Sequence, residues 1–123
     1  MSRTYSVLLA EPNPLLREKM AGVFARSRNF WCVIQVEGRG NLARAAAQAQ
    51  PDFILADLNT LNDQEMLSFL RRTSGDSRII ALVDYKLEPY KKAARKLDLD
   101  GIFEKGRVNE EIRAILSAIE SNR

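Results

Sequence analysis

The sequence contains no histidine, and this absence excludes several kinds of chemistry at once. Histidine is the commonest general base near neutral pH and the commonest metal ligand. Ser-His-Asp and Cys-His catalysis of the usual kind is therefore excluded. The chain also has a single cysteine, Cys32, which cannot form an internal disulfide, so nothing favours secretion. Because Cys32 lies in the apolar stretch Trp31-Cys32-Val33-Ile34, we expect a small, buried core residue.

Long hydrophobic runs and a strong charge bias are missing as well. No apolar run approaches the length of a membrane-spanning helix, and the N-terminus lacks a signal-peptide pattern. We therefore expect a cytosolic protein without a membrane partner. The 19 basic and 16 acidic residues leave a net charge of +3, which permits an acidic partner without requiring one. The length of 123 residues predicts one domain, over residues 1–123, with a normal core.

The chain alternates between short apolar runs and amphipathic segments. The apolar runs predict five strands, at residues 5–10, 31–36, 52–56, 78–83 and 101–104. Helical spacing predicts five helices, at about residues 14–26, 42–50, 64–72 and 89–97, and from about residue 110 onward. The strands are apolar throughout, as expected when both faces of a parallel sheet are covered. With right-handed crossovers, this pattern predicts a three-layer α/β/α sandwich.

Local signals mark several boundaries of these elements. Asn13 is a suitable N-cap for the first helix, with Pro14 at its first position, and Asp63 is a suitable N-cap for the third. Gly38 and its neighbours are expected to end the second strand. Residues 58–62 are expected to form a polar loop.

Four charged residues fall at or just after strand ends: Glu11, Asp57, Asp84 and Lys105. In a parallel sheet the carboxyl ends of the strands lie at one edge, where open α/β folds place their chemistry. Carboxylates there suit Mg²⁺, or a phosphoryl group on a carboxylate whose charge a lysine neutralises. Loop ends are polar in most proteins, so it is the combination that favours a functional interpretation.

From about Tyr5 to Ile119 the chain resembles the receiver domains of bacterial two-component response regulators. Four segments carry the resemblance: 7–17 (first strand, acidic loop, first helix), 51–59 (phospho-acceptor strand), 78–83 (fourth strand) and 100–105 (fifth strand with its lysine). The resemblance implies that Asp57 is the phospho-acceptor and Lys105 its charge partner. It also implies a flavodoxin-like sheet of strand order 2-1-3-4-5.

The departures from the family pattern cluster at the site itself. The family has two adjacent acids after the first strand, whereas this chain has Glu11-Pro12. Proline provides no ligand, so Glu11 is left as a remnant of the metal site and we expect weakened Mg²⁺ binding. Val83 replaces a serine or threonine and cannot donate a hydrogen bond, and Ile102 replaces the switch aromatic residue. These changes predict a phosphorylation switch that is weakened or rewired.

The fourth predicted helix is strongly basic, with Lys91, Lys92, Arg95 and Lys96, and Lys86 precedes it. Such a row is commonly a solvated helix face. The resemblance implies an output or dimerisation surface on the fourth helix, fifth strand and fifth helix. A basic version of this surface favours an acidic protein partner, or Glu110 and Glu111 of a second copy. The small net charge disfavours direct nucleic-acid binding.

Three functions remain to be compared. The first is a receiver that accepts a phosphoryl group from a histidine kinase or works with another signalling protein. The second is a pseudo-receiver that acts without phosphate, as a protein-interaction or dimerisation module. The third is a small enzyme or nucleotide binder, which the first loop, Glu11-Pro12-Asn13-Pro14, disfavours because it lacks phosphate-binding glycines. We therefore expect a signalling module and not an enzyme.

Overall fold

A five-stranded, all-parallel sheet lies at the centre of the protein, as a computed structural model describes it for residues 4–27, 31–37 and 39–121. The strands are β1 (Ser6–Ala10), β2 (Cys32–Val36), β3 (Phe53–Asp57), β4 (Arg78–Val83) and β5 (Gly101–Glu104). Their order in the sheet is β2-β1-β3-β4-β5. The predicted three-layer, flavodoxin-like architecture is confirmed.

Six α-helices surround the described part of the sheet. They are α1 (Pro14–Ala25), α2 (Arg39–Ala49), α3 (Leu58–Leu61), α4 (Gln64–Thr73), α5 (Glu88–Lys96) and α6 (Val108–Ser121). A short 3₁₀ helix, Lys105–Arg107, connects β5 to α6. The basic fourth helix of the prediction is α5 of the structure, because α3 was not expected. None of the helices in the described ranges is long and apolar enough to span a membrane.

The strand register places the carboxyl ends of neighbouring strands at the same level, along one edge of the sheet. Ala10 of β1 pairs with Ala56 of β3, so the residues that follow them, Glu11 and Asp57, lie at the same level. Val83 of β4 pairs with Glu104 of β5, so Lys105, the residue after Glu104, also lies at this edge. We call this edge, formed by the carboxyl ends of the strands, the rim.

The sheet is covered on both faces, which explains why its strands are apolar throughout. Successive residues of β1 point to opposite sides: Val7 and Leu9 lie in the core shared with α1 and α6. Leu8 and Ala10 lie in the second core, on the side of α2 and α4. The period-two alternation of a strand therefore supplies two separate hydrophobic cores.

Two predicted helix starts are present with their side-chain caps. The Asn13 side chain accepts hydrogen bonds from the backbone N–H groups of Leu15 and Leu16, with Pro14 at the start of α1. The Asp63 carboxylate caps α4 in the same way. Each cap satisfies donors that the first turn of a helix leaves free.

The prediction for Cys32 was wrong, because this residue is exposed. Cys32 is the first residue of β2, which lies at the edge of the sheet, and the helices cover this strand less completely than β1 or β3. An apolar run predicted the strand correctly but did not show that the strand was an edge strand.

The expected loop at residues 58–62 was also wrong. Leu58–Leu61 forms a helical turn, capped by a hydrogen bond from the Asn59 N–H to the Asp57 carboxylate, and Leu61 is fully buried. Helix α2 begins at Arg39, three residues before the predicted Leu42, and Gly40 lies within it. The strand break predicted at Gly38 lies outside the described residues.

Leu55 lies at 0% exposure in the middle of β3, whereas Leu15 is 78% exposed on α1. Replacing Leu55 with alanine should lower the free energy of unfolding by about 2–5 kcal/mol, because transfer and cavity terms add. The matched change Leu15→Ala should alter the free energy of unfolding by no more than about 0.5 kcal/mol. Urea unfolding of both variants checks this. Similar losses in the two variants would contradict the described core.

Candidate functional site

Three charged side chains meet at the rim. The Lys105 Nζ atom lies 2.7 Å from Asp57 Oδ1 and 2.8 Å from Glu11 Oε1. Glu11 is only 2% exposed, whereas the side chains of Asp57 and Lys105 are 22% and 19% exposed. The structure thus brings together three residues that were selected from strand ends far apart in the sequence. We call this group the Lys105 centre.

The loop after β1 and the helical turn α3 after β3 orient the two carboxylates. Glu11 Oε2 accepts a hydrogen bond from the Asn13 N–H at 3.0 Å, and Asp57 Oδ2 accepts one from the Asn59 N–H at 3.2 Å. Arg17 was missed by the sequence analysis: its guanidinium, largely buried, donates to the Glu11 carbonyl at 2.7 Å. The sequence signal that could have identified Arg17 was its position on the inner face of α1, among apolar residues, where a charged side chain needs a partner.

The charge of Lys105 is held in place by its two partners. Burial by itself would lower the lysine pKa, but hydrogen bonds and the negative charges of Asp57 and Glu11 outweigh it, so the pKa is raised. Lys105 therefore remains an ammonium over the whole physiological range. It provides a permanent cation beside Asp57.

A small crevice of about 90 Å³ opens beside Asp57. Its lining consists of Asp57, Leu58, Asn59, Leu82, Val83, Asp84 and Tyr90. Asp84, expected at the rim, is exposed and forms no ion pair among the described residues. Tyr90 comes from α5 and was not expected here.

The two positions where the family carries its switch have apolar side chains. Val83 lines the crevice and is buried, so this position offers no side-chain hydroxyl to a group bound there. Ile102 is half-buried in β5 and packs against the core shared with α2 and α4. The roles of both as degenerate switch positions remain predictions.

The rim fits a divalent cation poorly. Glu11 and Asp57 are the carboxylates that meet there, and the ammonium of Lys105 already binds both. Pro12 contributes no side-chain ligand. Over residues 4–27, 31–37 and 39–121, no group of three acidic, cysteine or histidine side chains is arranged to hold a metal. The expectation of weak Mg²⁺ binding therefore remains a prediction, and it is based on the shortage of free side-chain ligands at the rim.

A second ionic network pins the loop between β4 and α5. The Lys86 ammonium lies 2.8 Å from Glu111 Oε2, and the Lys86 N–H donates to Glu104 Oε1 at 2.9 Å. Glu111 is buried and also accepts the Glu104 N–H at 2.7 Å. Glu111 is therefore engaged within its own chain, which corrects its assignment as an exposed partner for a second copy.

The basic residues of α5 do not form one uniform surface. Lys91, Lys92, Arg95 and Lys96 are all exposed. Arg95, however, already pairs with Glu88, at 2.9 Å between Nη2 and Oε1. The four residues therefore differ in what they can offer to a partner, and their role as an output surface remains a prediction.

Comparison with solved structures identifies the fold. The chain is similar to a LuxR-family two-component response regulator from Aurantimonas sp. SI85-9A1, with 21% identity over 98% of this chain and 87% of that one, at a TM-score of 0.78. The non-phosphorylated receiver domain of the stress response regulator RcsB from Escherichia coli gives 16% identity, coverage of 98% and 96%, and a TM-score of 0.80.

A third similar structure is the REC domain of AraT, a response regulator from Geobacillus stearothermophilus, with 17% identity, coverage of 96% and 97%, and a TM-score of 0.73. No protein-family model and no curated protein sequence matches the chain. At these identities the comparison defines the fold. This chain has the fold of a response regulator receiver domain.

Replacing Lys105 with methionine should lower the free energy of unfolding by about 3 kcal/mol near neutral pH, because Glu11 would stay buried without its cation. The folded-state pKa of Lys105 is raised, so this contribution is complete below the ordinary lysine pKa of 10.5 and is lost as the pH rises through the raised value. Urea unfolding from neutral to alkaline pH measures the difference. The exposed Lys19→Met is the control, and an equal loss in it would refute the assignment.

Replacing Glu111 with glutamine should loosen the β4–α5 loop, because the Lys86 ammonium loses its charged partner. Hydrogen exchange of the Lys86 and Glu104 amides should speed up roughly tenfold, since both N–H groups depend on this network. The exposed neighbour Glu110→Gln provides the matched control. Unchanged exchange at both amides in Glu111→Gln would show that the network does not hold the loop.

Proposed function

We propose that this protein is a receiver-type signalling module in which Asp57 accepts a phosphoryl group from a histidine kinase and Lys105 neutralises its charge. The observation that carries the proposal is the 2.7 Å contact between Lys105 Nζ and Asp57 Oδ1, at a crevice that reaches solvent. A buried carboxylate could not meet a donor, whereas Asp57 keeps 22% of its side chain exposed. The receiver fold supports the same role.

The proposed step forms an acyl phosphate. A carboxylate oxygen of Asp57 attacks the phosphorus of the donor, and the bond from phosphorus to its leaving group breaks with the electron pair going to that group. In a histidine kinase the leaving group is the imidazole nitrogen of a phosphohistidine. Lys105 stays bound to the transferred group's oxygens or to the carboxylate, and so offsets the added negative charge.

The same geometry predicts that this step is slow. Lys105 is shared between Asp57 and the buried Glu11, so one cation faces two carboxylates before any phosphoryl group arrives. Transfer adds further negative charge to this centre. Pro12 provides no ligand for a compensating metal, and Val83 provides no hydroxyl for the phosphoryl oxygens. We therefore propose an atypical receiver with low phosphorylation at Asp57.

A second candidate function is a pseudo-receiver that binds a protein without using phosphate. The observation that favours it is the network of Lys86, Glu104 and Glu111, which pins the loop beside the crevice to β5 and α6. A pinned loop responds weakly to a group on Asp57, and Ile102 provides no aromatic switch. In this case the surface of α5, β5 and α6 would serve a signalling partner or a homodimer in one fixed conformation.

The two candidates are separated by treating the protein with acetyl phosphate and measuring phosphorylation by mass spectrometry, with and without Mg²⁺. We expect slow, weakly Mg²⁺-dependent modification, abolished by Asp57→Asn and kept in the exposed control Asp76→Asn. The double variant Pro12→Asp/Val83→Thr restores a carboxylate and a hydroxyl. It should react about 10- to 100-fold faster, as expected for added polar groups at a charged transition state.

One outcome would overturn the receiver proposal, and a second would overturn only its atypical character. No modification of Asp57 in either the native chain or the restored variant favours the pseudo-receiver. Rapid, fully Mg²⁺-dependent modification of the native chain, unchanged in Pro12→Asp/Val83→Thr, would instead show an ordinary phosphorylation site.

A further inference from the structure

The positive charge of the protein is concentrated on one short helix. Helix α5 has four basic side chains and one acidic one, a net charge of +3 within nine residues. This equals the net charge of the whole chain, so the remaining 114 residues are neutral as a set. Helix α5 is therefore a region of strong positive charge that would attract an acidic partner.

The faces of α5 differ in charge. Its inner side consists of Ala93 and Ala94, with Leu97 directly after the helix, and these residues are buried or half-buried. On the outward face Arg95 pairs with Glu88, so the charge there is partly balanced. Lys96, with Lys92 one turn before it, lies on the side that faces α4.

A groove of about 670 Å³ runs between α4 and α5. It is lined by Gln64, Leu67, Ser68, Arg71, Arg72, Lys96 and Leu97. Three of the seven are cations and none is acidic. The half-buried Leu67 and Leu97 give the groove an apolar element, and Gln64 and Ser68 add hydrogen-bonding groups. We call this surface the α4–α5 groove.

The cations of the α4–α5 groove have no charged partner within the described chain. The Arg71 guanidinium donates to the backbone carbonyl of Asp98, and the Arg72 guanidinium lies 6.0 Å from the centre of the Phe69 ring. Neither contact neutralises the arginine. Among the described residues, Arg71, Arg72 and Lys96 form no ion pair.

Helix dipoles explain each cation singly but not the group. Arg71 and Arg72 occupy the last turn of α4, and Lys96 the last turn of α5, where a positive charge is favoured by up to about 1 kcal/mol. Placing the three around one groove adds mutual repulsion. A ligand with several carboxylates would remove that repulsion.

We infer that the α4–α5 groove is a docking site for an acidic segment of another protein, with carboxylates meeting Arg71, Arg72 and Lys96 and an apolar side chain meeting Leu67 and Leu97. A second copy of this chain does not fit. Its longest acidic run is Glu110-Glu111, and Glu111 is already bound to Lys86.

Nucleic acid fits the groove less well than an acidic protein segment. No aromatic ring is among the residues that line it, so there is no platform for base stacking. Helices that follow parallel strands run back across the sheet, so the cationic end of the groove lies at the edge opposite the rim. The residues that line the docking site are therefore separate from those that line the crevice at Asp57.

The probe for this site is a short synthetic peptide with repeated Glu-Glu-Leu units, titrated into the full chain and followed by amide NMR. We expect the largest shifts in α4 and the C-terminal half of α5, and weaker binding at high salt. The charge-reversed variant Arg71→Glu/Arg72→Glu/Lys96→Glu should bind at least about tenfold more weakly. The milder variant Arg71→Gln/Arg72→Gln/Lys96→Gln should lose affinity in the same direction and guards against misfolding.

The matched control is Lys19→Glu/Arg44→Glu/Arg113→Glu, which makes the same net charge change at exposed positions elsewhere. The affinity of this control variant for the peptide should fall by less than about threefold, since only the long-range attraction changes. Equal weakening in the control would overturn the proposal, as would equal binding of a peptide with lysine in place of glutamate. So would tighter binding of a single-stranded DNA oligonucleotide, shifts confined to the rim, or no binding at low salt.

Discussion

One ammonium group ties three strand ends together. Lys105 follows β5, and it binds the carboxylate of Glu11, which follows β1, and that of Asp57, which ends β3, so three strand ends share one ionic centre. Glu11 is buried and could not keep its charge at low cost without this partner. The centre thus stabilises the rim and also defines its chemistry. Any reaction at Asp57 therefore takes place beside the Lys105 ammonium.

Much of this arrangement could be predicted because parallel strands leave little freedom. Uninterrupted apolar runs such as Ile54 to Ala56 identify strands covered on both faces, and the residue after each run must then lie at the rim. Asp57, Glu11 and Lys105 were found in this way. The caps Asn13 and Asp63 were predictable for a similar reason, since their signal is local and chemical.

The errors have a common physical cause, because they depend on neighbours that are distant in sequence. Cys32 looks like a core residue until β2 is known to be an edge strand. Leu61 turns residues 58–61 into a helical turn because the second core has room for its side chain. Glu111 looked like a free surface acid, and only the approach of Lys86, 25 positions earlier, shows that it is engaged.

Two ionic groups lie at the rim and beside it. The Lys105 centre holds the rim, and the network of Lys86 and Glu111 holds the loop beside it. Arg71, Arg72 and Lys96, which form no ion pair among the described residues, lie between α4 and α5, outside both groups. The groove that we infer to be a docking site and the crevice beside the proposed phospho-acceptor therefore share no residue.

The aromatic cluster at the edge of the sheet opposite the rim provides a fluorescent probe of the core. Trp31, the only tryptophan, is buried against the rings of Phe24, Phe53 and Tyr5, with ring centres 4.8, 5.7 and 5.5 Å away. It precedes β2 and so lies far from the Lys105 centre across the length of the strands. Tryptophan fluorescence therefore reports assembly of the core, whereas the fluorophore that lines the crevice beside Asp57 is Tyr90.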